Sequence, residues 1–276
     1  MAATPEPGRE TALVTGASGG IGEEFAKLLA SKGCDLVLVA RSGDKLARLA
    51  ESLAGSHKVR VETLPLDLST AGSPGQLVSF LEGKSLAVDV LINNAGIGTF
   101  GPFAESDLEA ELGQIQLNVT TLTQLTRLVL PGMLRRSRGR ILNVASTAAF
   151  QPGPFMAVYY ATKAYVLSLS VALANELQGS GVTVSCLCPG PTRTDFMARA
   201  KMGDPETLAK KSVMMDPSVV ARRGYDGMMK GKRLIIPGAL NKVLAHSTRL
   251  ASRGLSASVV RRIMEEIRST GDPHPK

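Results

Sequence analysis

The sequence predicts a single-domain α/β fold: a doubly wound parallel sheet with helices on both faces and a helical C-terminal extension. Three observations lead there. Short runs rich in Val, Leu and Ile alternate with longer amphipathic stretches, a glycine-rich turn follows the first apolar run, and 276 residues suit one large domain.

The predicted strands are Ala12–Thr15, Leu36–Ala40, Val59–Leu64, Val88–Ile92, Arg140–Ala145 and Val182–Leu187. Each has the length and composition of a strand buried on both faces. Helical patterns lie between them at Ile21–Ser31, Asp44–Leu53, Ser73–Leu81, Asp107–Leu134 and Val158–Leu177. Strand, helix, strand at this repeat gives right-handed crossovers and a parallel sheet. After Gly190 the rhythm loosens, with a short helical pattern at Glu206–Lys211. Pro217 opens a helix to about Met229, since proline suits a first turn. A last strand follows at Arg233–Ile236, then helices at Ala239–Leu250 and Ser256–Ile267 and a polar tail from Thr270.

Composition is globular, with 44% hydrophobic and 20% charged residues. Cys34, Cys186 and Cys188 lie in apolar runs and read as buried thiols, which favours a reducing, cytoplasmic location. No metal site is expected, because no histidine or second cysteine pair accompanies Cys186 and Cys188. His57, His246 and His274 stand outside every motif. Met1–Glu10 is polar and lacks the apolar core of a secretory signal, and no uninterrupted apolar stretch nears the ~18 residues of a membrane span, so a soluble protein is expected. Residues 1–198 hold 16 basic and 17 acidic side chains, whereas residues 199–276 hold 16 basic and 7 acidic. That asymmetry reads as a solvated basic face, an anionic substrate carrier or weak association with an acidic membrane surface. It does not suffice for nucleic-acid binding, and no nucleic-acid module accompanies it.

Directly after the first strand comes Thr15-Gly16-Ala17-Ser18-Gly19-Gly20-Ile21-Gly22, followed by a helix. Glycines there permit a tight turn and let backbone approach a pyrophosphate, which the helix N-terminus attracts. Further along, Tyr159 and Tyr160 precede Lys163 by four and three residues in a helical stretch, so either tyrosine shares a face with that lysine. A nearby ammonium favours phenolate and tunes a tyrosine toward acid–base work. Ser146 and its neighbour Thr147 lie at the mouth of the fifth strand, where open sheets bind ligands.

In order along the chain, T-G-x-x-x-G-x-G from Thr15, Asn93-Asn94-Ala95-Gly96, Ser146, Tyr159-x-x-x-Lys163 and Pro189-Gly190-x-x-x-Thr194 match one pattern. Over roughly residues 11–195 the chain resembles the short-chain dehydrogenase/reductase family. The resemblance implies a Rossmann-type domain over 1–238, with 191–230 as a substrate-lid segment and 239–276 as a helical extension of the same domain. It selects Tyr159 as acid/base over Tyr160, Lys163 as its tuner, Ser146 over Thr147 for the substrate oxygen, and Asn118 for a water-linked proton path to the lysine. The cofactor would lie on Gly16, Ala17, Ser18, Gly19, Gly20, Ile21 and Gly22. Asp67 would face the adenine, Leu68 would add a backbone contact, and Asn94, Ala95 and Gly96 would line the adenosine ribose. Pro189, Gly190, Thr192 and Thr194 would stand near the nicotinamide amide and phosphates, beside Tyr159 and Lys163.

The second strand ends at Ala40-Arg41, where an NAD-preferring protein usually carries an acid. Ala40 accepts nothing from ribose hydroxyls, and Arg41, assisted by Ser42 and Lys45, suits a 2′-phosphate. NADP(H) is therefore expected before NAD(H), although Gly19 stands where many NADP-preferring relatives have a basic residue. Phe100, Phe103, Phe150, Phe155, Phe196, Met197, Met202, Met214 and Met215 fall in the expected substrate loops and predict an apolar ketone or fatty-acyl-type carbonyl substrate. The C-terminal part loosely resembles that of long-chain 3-ketoacyl and hydroxysteroid reductases. Relatives pair through their fourth and fifth helices, which implies a homodimer or homotetramer. The alternative is a non-catalytic NADP(H)-sensing protein on the same fold.

Overall fold

The computed structural model describes residues 9–202, 214–248 and 252–271. The helical pattern at Glu206–Lys211, most of the N-terminal segment and His274 lie outside the described residues.

Seven strands form one sheet: β1 (Thr11–Thr15), β2 (Asp35–Ala40), β3 (Val61–Pro65), β4 (Val90–Asn93), β5 (Gly139–Val144), β6 (Val182–Leu187) and β7 (Leu234–Ile235). Their order is β3-β2-β1-β4-β5-β6-β7, and every neighbouring pair is parallel. The chain winds outward from β1 to β3, then returns to β4 and winds the other way. The switch between β1 and β4 opens a crevice at the carboxyl ends of the strands, the place where such sheets bind ligands.

Ten helices follow in chain order among the described residues: α1 (Gly20–Ser31), α2 (Gly43–His57), α3 (Ser73–Gly83), α4 (Leu108–Ile115), α5 (Leu122–Arg135), α6 (Ala157–Glu176), α7 (Phe196–Arg199), α8 (Pro217–Met229), α9 (Ala239–Ser247) and α10 (Arg253–Gly271). Alternate residues of β1 serve opposite faces. Ala12 and Val14 pack with Phe25 of α1, Leu46 of α2 and Val220 of α8, while Leu13 packs with Leu77 of α3 and Leu125 of α5. Burying each such side chain contributes roughly 1.5–3 kcal/mol, which fixes the strand register.

Four expectations change. The third strand is half-exposed along its length because β3 is an edge with a neighbour on one side only. The second helix runs on to His57, ending at Lys58 in the left-handed region. The single helix expected over Asp107–Leu134 is α4 and α5 joined by a π-helical turn, Gln116–Thr121. Finally, α6 is long and apolar enough to cross a membrane by length and composition, with mean hydropathy 1.3. Its inner face, Tyr160, Thr162, Lys163, Val166 and Ser170, is buried, and Ala157, Ala161, Ala164, Tyr165 and Val171 are exposed on the outside. Polar residues on the inner face interrupt the apolar run, yet the mean hydropathy stays at 1.3.

Candidate active site

The turn between β1 and α1 is held by its neighbours rather than by side chains of its own. The Thr15 hydroxyl donates to the Ile92 carbonyl and accepts from the Asn94 and Ala95 amides, at 3.0–3.2 Å. The Asn94 side chain donates to the carbonyls of Thr15 (2.9 Å) and Gly16 (3.2 Å). Asn94 thus clamps the turn, and whatever it lends to a ribose comes from beside that clamp. Thr15, the first residue of the T-G-x-x-x-G-x-G motif, organises the turn, a role that the motif alone does not assign to it.

Three glycines are required by geometry. Gly16 and Gly20 have φ +66° and +57°, and a Cβ on either would lie 2.8 Å from Asn94 Nδ2 or Thr194 Cγ2. A Cβ on Gly22 would collide with the Gly16 carbonyl oxygen. Gly19 differs, since its backbone is extended and a Cβ there meets nothing within 4 Å. This cradle fits the pyrophosphate of a dinucleotide, since its glycines bare backbone at the N-terminus of α1. Thr194 lies against Gly20. Thr192 donates to the Gly190 carbonyl at 2.9 Å, holding the loop that starts at Pro189.

Beside the cradle, Arg41 and Ser42 are exposed at the end of β2, and Ala40 is buried. Asp67 is exposed. Burial acts to raise its carboxyl, but two hydrogen bonds from Ser69 and the Arg41 charge outweigh it and hold the group below the usual range. The Leu68 side chain is buried in the core, and its carbonyl accepts from Thr121 at 2.8 Å.

Across the crevice, Asn118, Ser146, Tyr159 and Lys163 come together. Asn118 sits in the π turn, 1% exposed, and grips Ile97 twice: its Oδ1 accepts from the Ile97 amide (3.0 Å) and its Nδ2 donates to the Ile97 carbonyl (2.9 Å). The same Nδ2 donates to the Thr162 hydroxyl at 3.0 Å. A Cβ on Gly96 would stand 3.3 Å from both Asn118 Oδ1 and Lys163 Nζ, so these two groups face one backbone position. Lys163 Nζ donates to the Val144 carbonyl at 2.9 Å, and burial loosens its proton, pulling its pKa down to about 8. Beneath it the free thiols of Cys186 and Cys188 lie 3.7 Å apart.

Ser146 caps the short 3₁₀ turn Thr147–Phe150, its Oγ accepting from the Ala148 amide at 3.1 Å. Burial pushes the Tyr159 phenol well above its ordinary value, and the nearby Ser146 hydroxyl opposes the shift. Lys163 Nζ stands 5.8 Å from the Tyr159 ring centre, so the tuning expected from helical spacing is opposed here by desolvation. Tyr160 points elsewhere. It is buried and packs over Gly153, where no Cβ would fit.

The Tyr159 ring belongs to an apolar cluster. Phe196 packs against it at 5.1 Å between ring centres, and Gly98 leaves room for both rings. Of the side chains expected there, Phe100, Phe155, Phe196, Met197, Met202 and Met214 do gather around Tyr159. Phe103 is exposed instead, while Phe150 and Met215 pack into other clusters. Sequence reading missed the opposite wall: Val260 and Met264 of α10 are 3% and 8% exposed, and Ile267 packs beside them. Arg268 lies 5.9 Å from the ring centre of Phe155, a residue held at φ +64°. The C-terminal helix therefore packs over the side chains around Tyr159.

A family model described as short chain dehydrogenase matches residues 10–204. A very-long-chain 3-oxoacyl-CoA reductase of Pyrenophora tritici-repentis is 40% identical over 182 residues, 64% of this chain and 53% of that protein. The chain thus spans about half the length of that relative. An uncharacterized oxidoreductase of Staphylococcus saprophyticus is 34% identical over 219 residues, 76% of this chain and 93% of its own. Among solved structures, a short-chain dehydrogenase from Sphingobium yanoikuyae in complex with NADPH superposes with a TM-score of 0.79 at 34% identity, covering 89% of this chain and 94% of that one.

Proposed function

Because the chain belongs to the short-chain dehydrogenase family, we propose that it moves a hydride between NADP(H) and the carbonyl or secondary-alcohol carbon of an apolar ketone or fatty-acyl-type substrate. The observation that carries this reading is Tyr159 within an apolar cluster, with the Ser146 hydroxyl acting on its phenol and Lys163 buried beside it.

The residues that would hold the dinucleotide are the Gly16–Gly22 cradle, Arg41 and Ser42 at the adenosine end, and the Pro189–Thr194 loop at the nicotinamide end. When bound, that group supplies or accepts the hydride. Ser146 binds and orients the substrate oxygen, and its hydroxyl stabilises charge as it develops there. Tyr159 Oη gives its proton to that oxygen during reduction and takes it back during oxidation. Lys163 keeps a positive charge near Tyr159, and its two N–H donors beyond the Val144 bond are available to the ribose and the proton path. Asn118 fixes Ile97 and holds Oδ1 next to Lys163, where a water can bridge the two. Excluding water is the task of the methionine and phenylalanine cluster and of α10.

NADP(H) is preferred over NAD(H) in this reading, since Arg41 is exposed where a 2′-phosphate would lie and Ala40 presents no carboxylate. A homodimer, extendable to a homotetramer, is supported by the exposed apolar face of α6 and by Leu112 and Ile115 of α4. The location is cytoplasmic, with the basic C-terminal third directed at acidic membrane surfaces.

NADPH oxidation against a panel of aliphatic ketones and 3-oxoacyl thioesters tests the chemistry. Tyr159→Phe is expected to lower kcat about 10²–10⁴-fold while leaving NADPH binding intact. Equal turnover by both proteins would refute the mechanism, and saturable NADPH binding without turnover by either would favour a sensor.

A further inference from the structure

Between Asp226 and Glu265 the chain has no acidic residue and eight Lys or Arg. Part of that segment builds a surface around β7. At the open edge of the sheet, the end of α8, β7 and the start of α9 enclose a cleft of about 450 Å³. Its floor is apolar, formed by Leu234, Ile236 and Pro237, and its rim carries Arg223, Lys230, Lys232 and Lys242. Asp226 is the one carboxylate on the rim. Among the described residues, none of the four basic side chains is paired with an acid.

The adjoining helix α9 packs inward through Ala245, 2% exposed. Its outward face carries Leu240, Val243 and Leu244, exposed by 61%, 64% and 55%. Positions i, i+3 and i+4 share one helical face, so the three make a continuous apolar ridge beside the basic cleft. Helix α9 also begins at the carboxyl edge of the sheet: Asn241 lies against Gly190, and α9 packs on Thr147–Phe150. The ridge therefore stands beside the Ser146 side of the active site.

We infer that this face docks on an anionic lipid bilayer, with Leu240, Val243 and Leu244 entering the headgroup boundary and the Arg223/Lys230/Lys232/Lys242 cleft taking a lipid phosphate. Charge complementarity selects this occupant. A second copy pairing through the same face by two-fold symmetry would set the four cations against themselves, whereas an acidic leaflet neutralises them and accepts the apolar ridge. Docking there brings the cleft mouth to the phase in which an apolar carbonyl compound is dissolved. The inference rests on the reading of the basic C-terminal third as membrane-directed and specifies which surface does the work.

Co-sedimentation with phosphatidylcholine vesicles, with and without phosphatidylserine, at low and high salt tests it. The wild type is expected to sediment with the acidic vesicles alone, and less as salt rises. Lys230→Glu/Lys232→Glu/Lys242→Glu should weaken partitioning by at least about a hundredfold, taking each lost cation as worth about fivefold. Leu240→Ser/Val243→Ser/Leu244→Ser should abolish it, and Arg261→Glu/Arg262→Glu on α10 should barely change it. No binding by the wild type to acidic vesicles overturns both the membrane reading and this face. Binding lost only in the α10 variant overturns this face and keeps the membrane reading. Self-association without vesicles that the serine variant removes assigns the ridge to a second copy and also overturns it. NADPH oxidation of a water-soluble ketone by every variant, together with unchanged melting, shows that each is folded and keeps the reductase chemistry apart from docking.

Discussion

At the glycine cradle, nearly every contact is backbone to backbone or runs through Thr15 and Asn94, and three positions admit no Cβ. Across the crevice, α10 packs on the apolar cluster around Tyr159 with Val260, Met264 and Ile267, whose contacts are apolar. The first surface is defined by main chain and tolerates almost no substitution. The second is defined by adaptable side chains, three of the cluster's buried members being methionines, Met156, Met202 and Met264. The contrast teaches that one wall of the crevice is fixed by main-chain geometry, while the other is built from side chains that pack without directional bonds.

The sharpest way to break that division is Gly22→Ala. Its Cβ would drive into Gly16 and approach Asn94 Nδ2 to 2.5 Å, misplacing the turn, and a shift of about 1 Å costs about 10²-fold. Isothermal titration should show NADPH affinity falling by that order, and unchanged affinity would mean that the cradle yields. The next effect concerns protons. Burial lowers Lys163 to about 8, so its ammonium is present below that pH and is lost above it. Reduction measured from about pH 6 to about pH 10 should therefore decline about tenfold per unit beyond about 8. A limb that appears only near the ordinary lysine value would remove Lys163 from the mechanism.

Smaller effects sharpen the comparison. Val260→Ala enlarges the cleft by about two methylene groups and should raise the kcat/KM ratio of bulky to small ketones by about tenfold, with NADPH affinity unchanged. A change in NADPH affinity would show that the two walls are coupled. Smallest is Gly19→Arg. The extended backbone and open space at Gly19 admit a side chain, and an exposed guanidinium there should tighten NADPH over NADH by up to about fivefold. Equal effects on both nucleotides would place the 2′-phosphate elsewhere.

The strands were legible in the sequence because parallel strands are buried on both faces and read as runs of Val, Leu and Ile; β3 departs because an edge has one neighbour. The cluster of Asn118, Ser146, Tyr159 and Lys163 was legible as motifs in order, although helical spacing alone left Tyr160 beside Tyr159. It took burial over Gly153 to show where Tyr160 goes. What stayed hidden depends on contacts between distant segments. Val260 and Met264 have the spacing of any amphipathic helix, and nothing local says that they face Tyr159. Phe103 and Met215 look the same in sequence as Phe100 and Met214, yet only the latter two reach the cleft. The opposing influence of desolvation on Tyr159 likewise arises from the whole surrounding cluster.

The π turn at Gln116–Thr121 has a consequence that is numerical rather than chemical. A π turn amounts to one residue inserted into an α-helical count, and Asn118 keeps its grip on Ile97 only while that surplus residue is present. Remove one codon there and the helix would straighten, carrying every downstream side chain of α5 back by about 100° relative to α4. Among homologous chains, gain or loss of a single codon at this point would decide whether an asparagine faces Gly96 at all, with no change in composition to announce it.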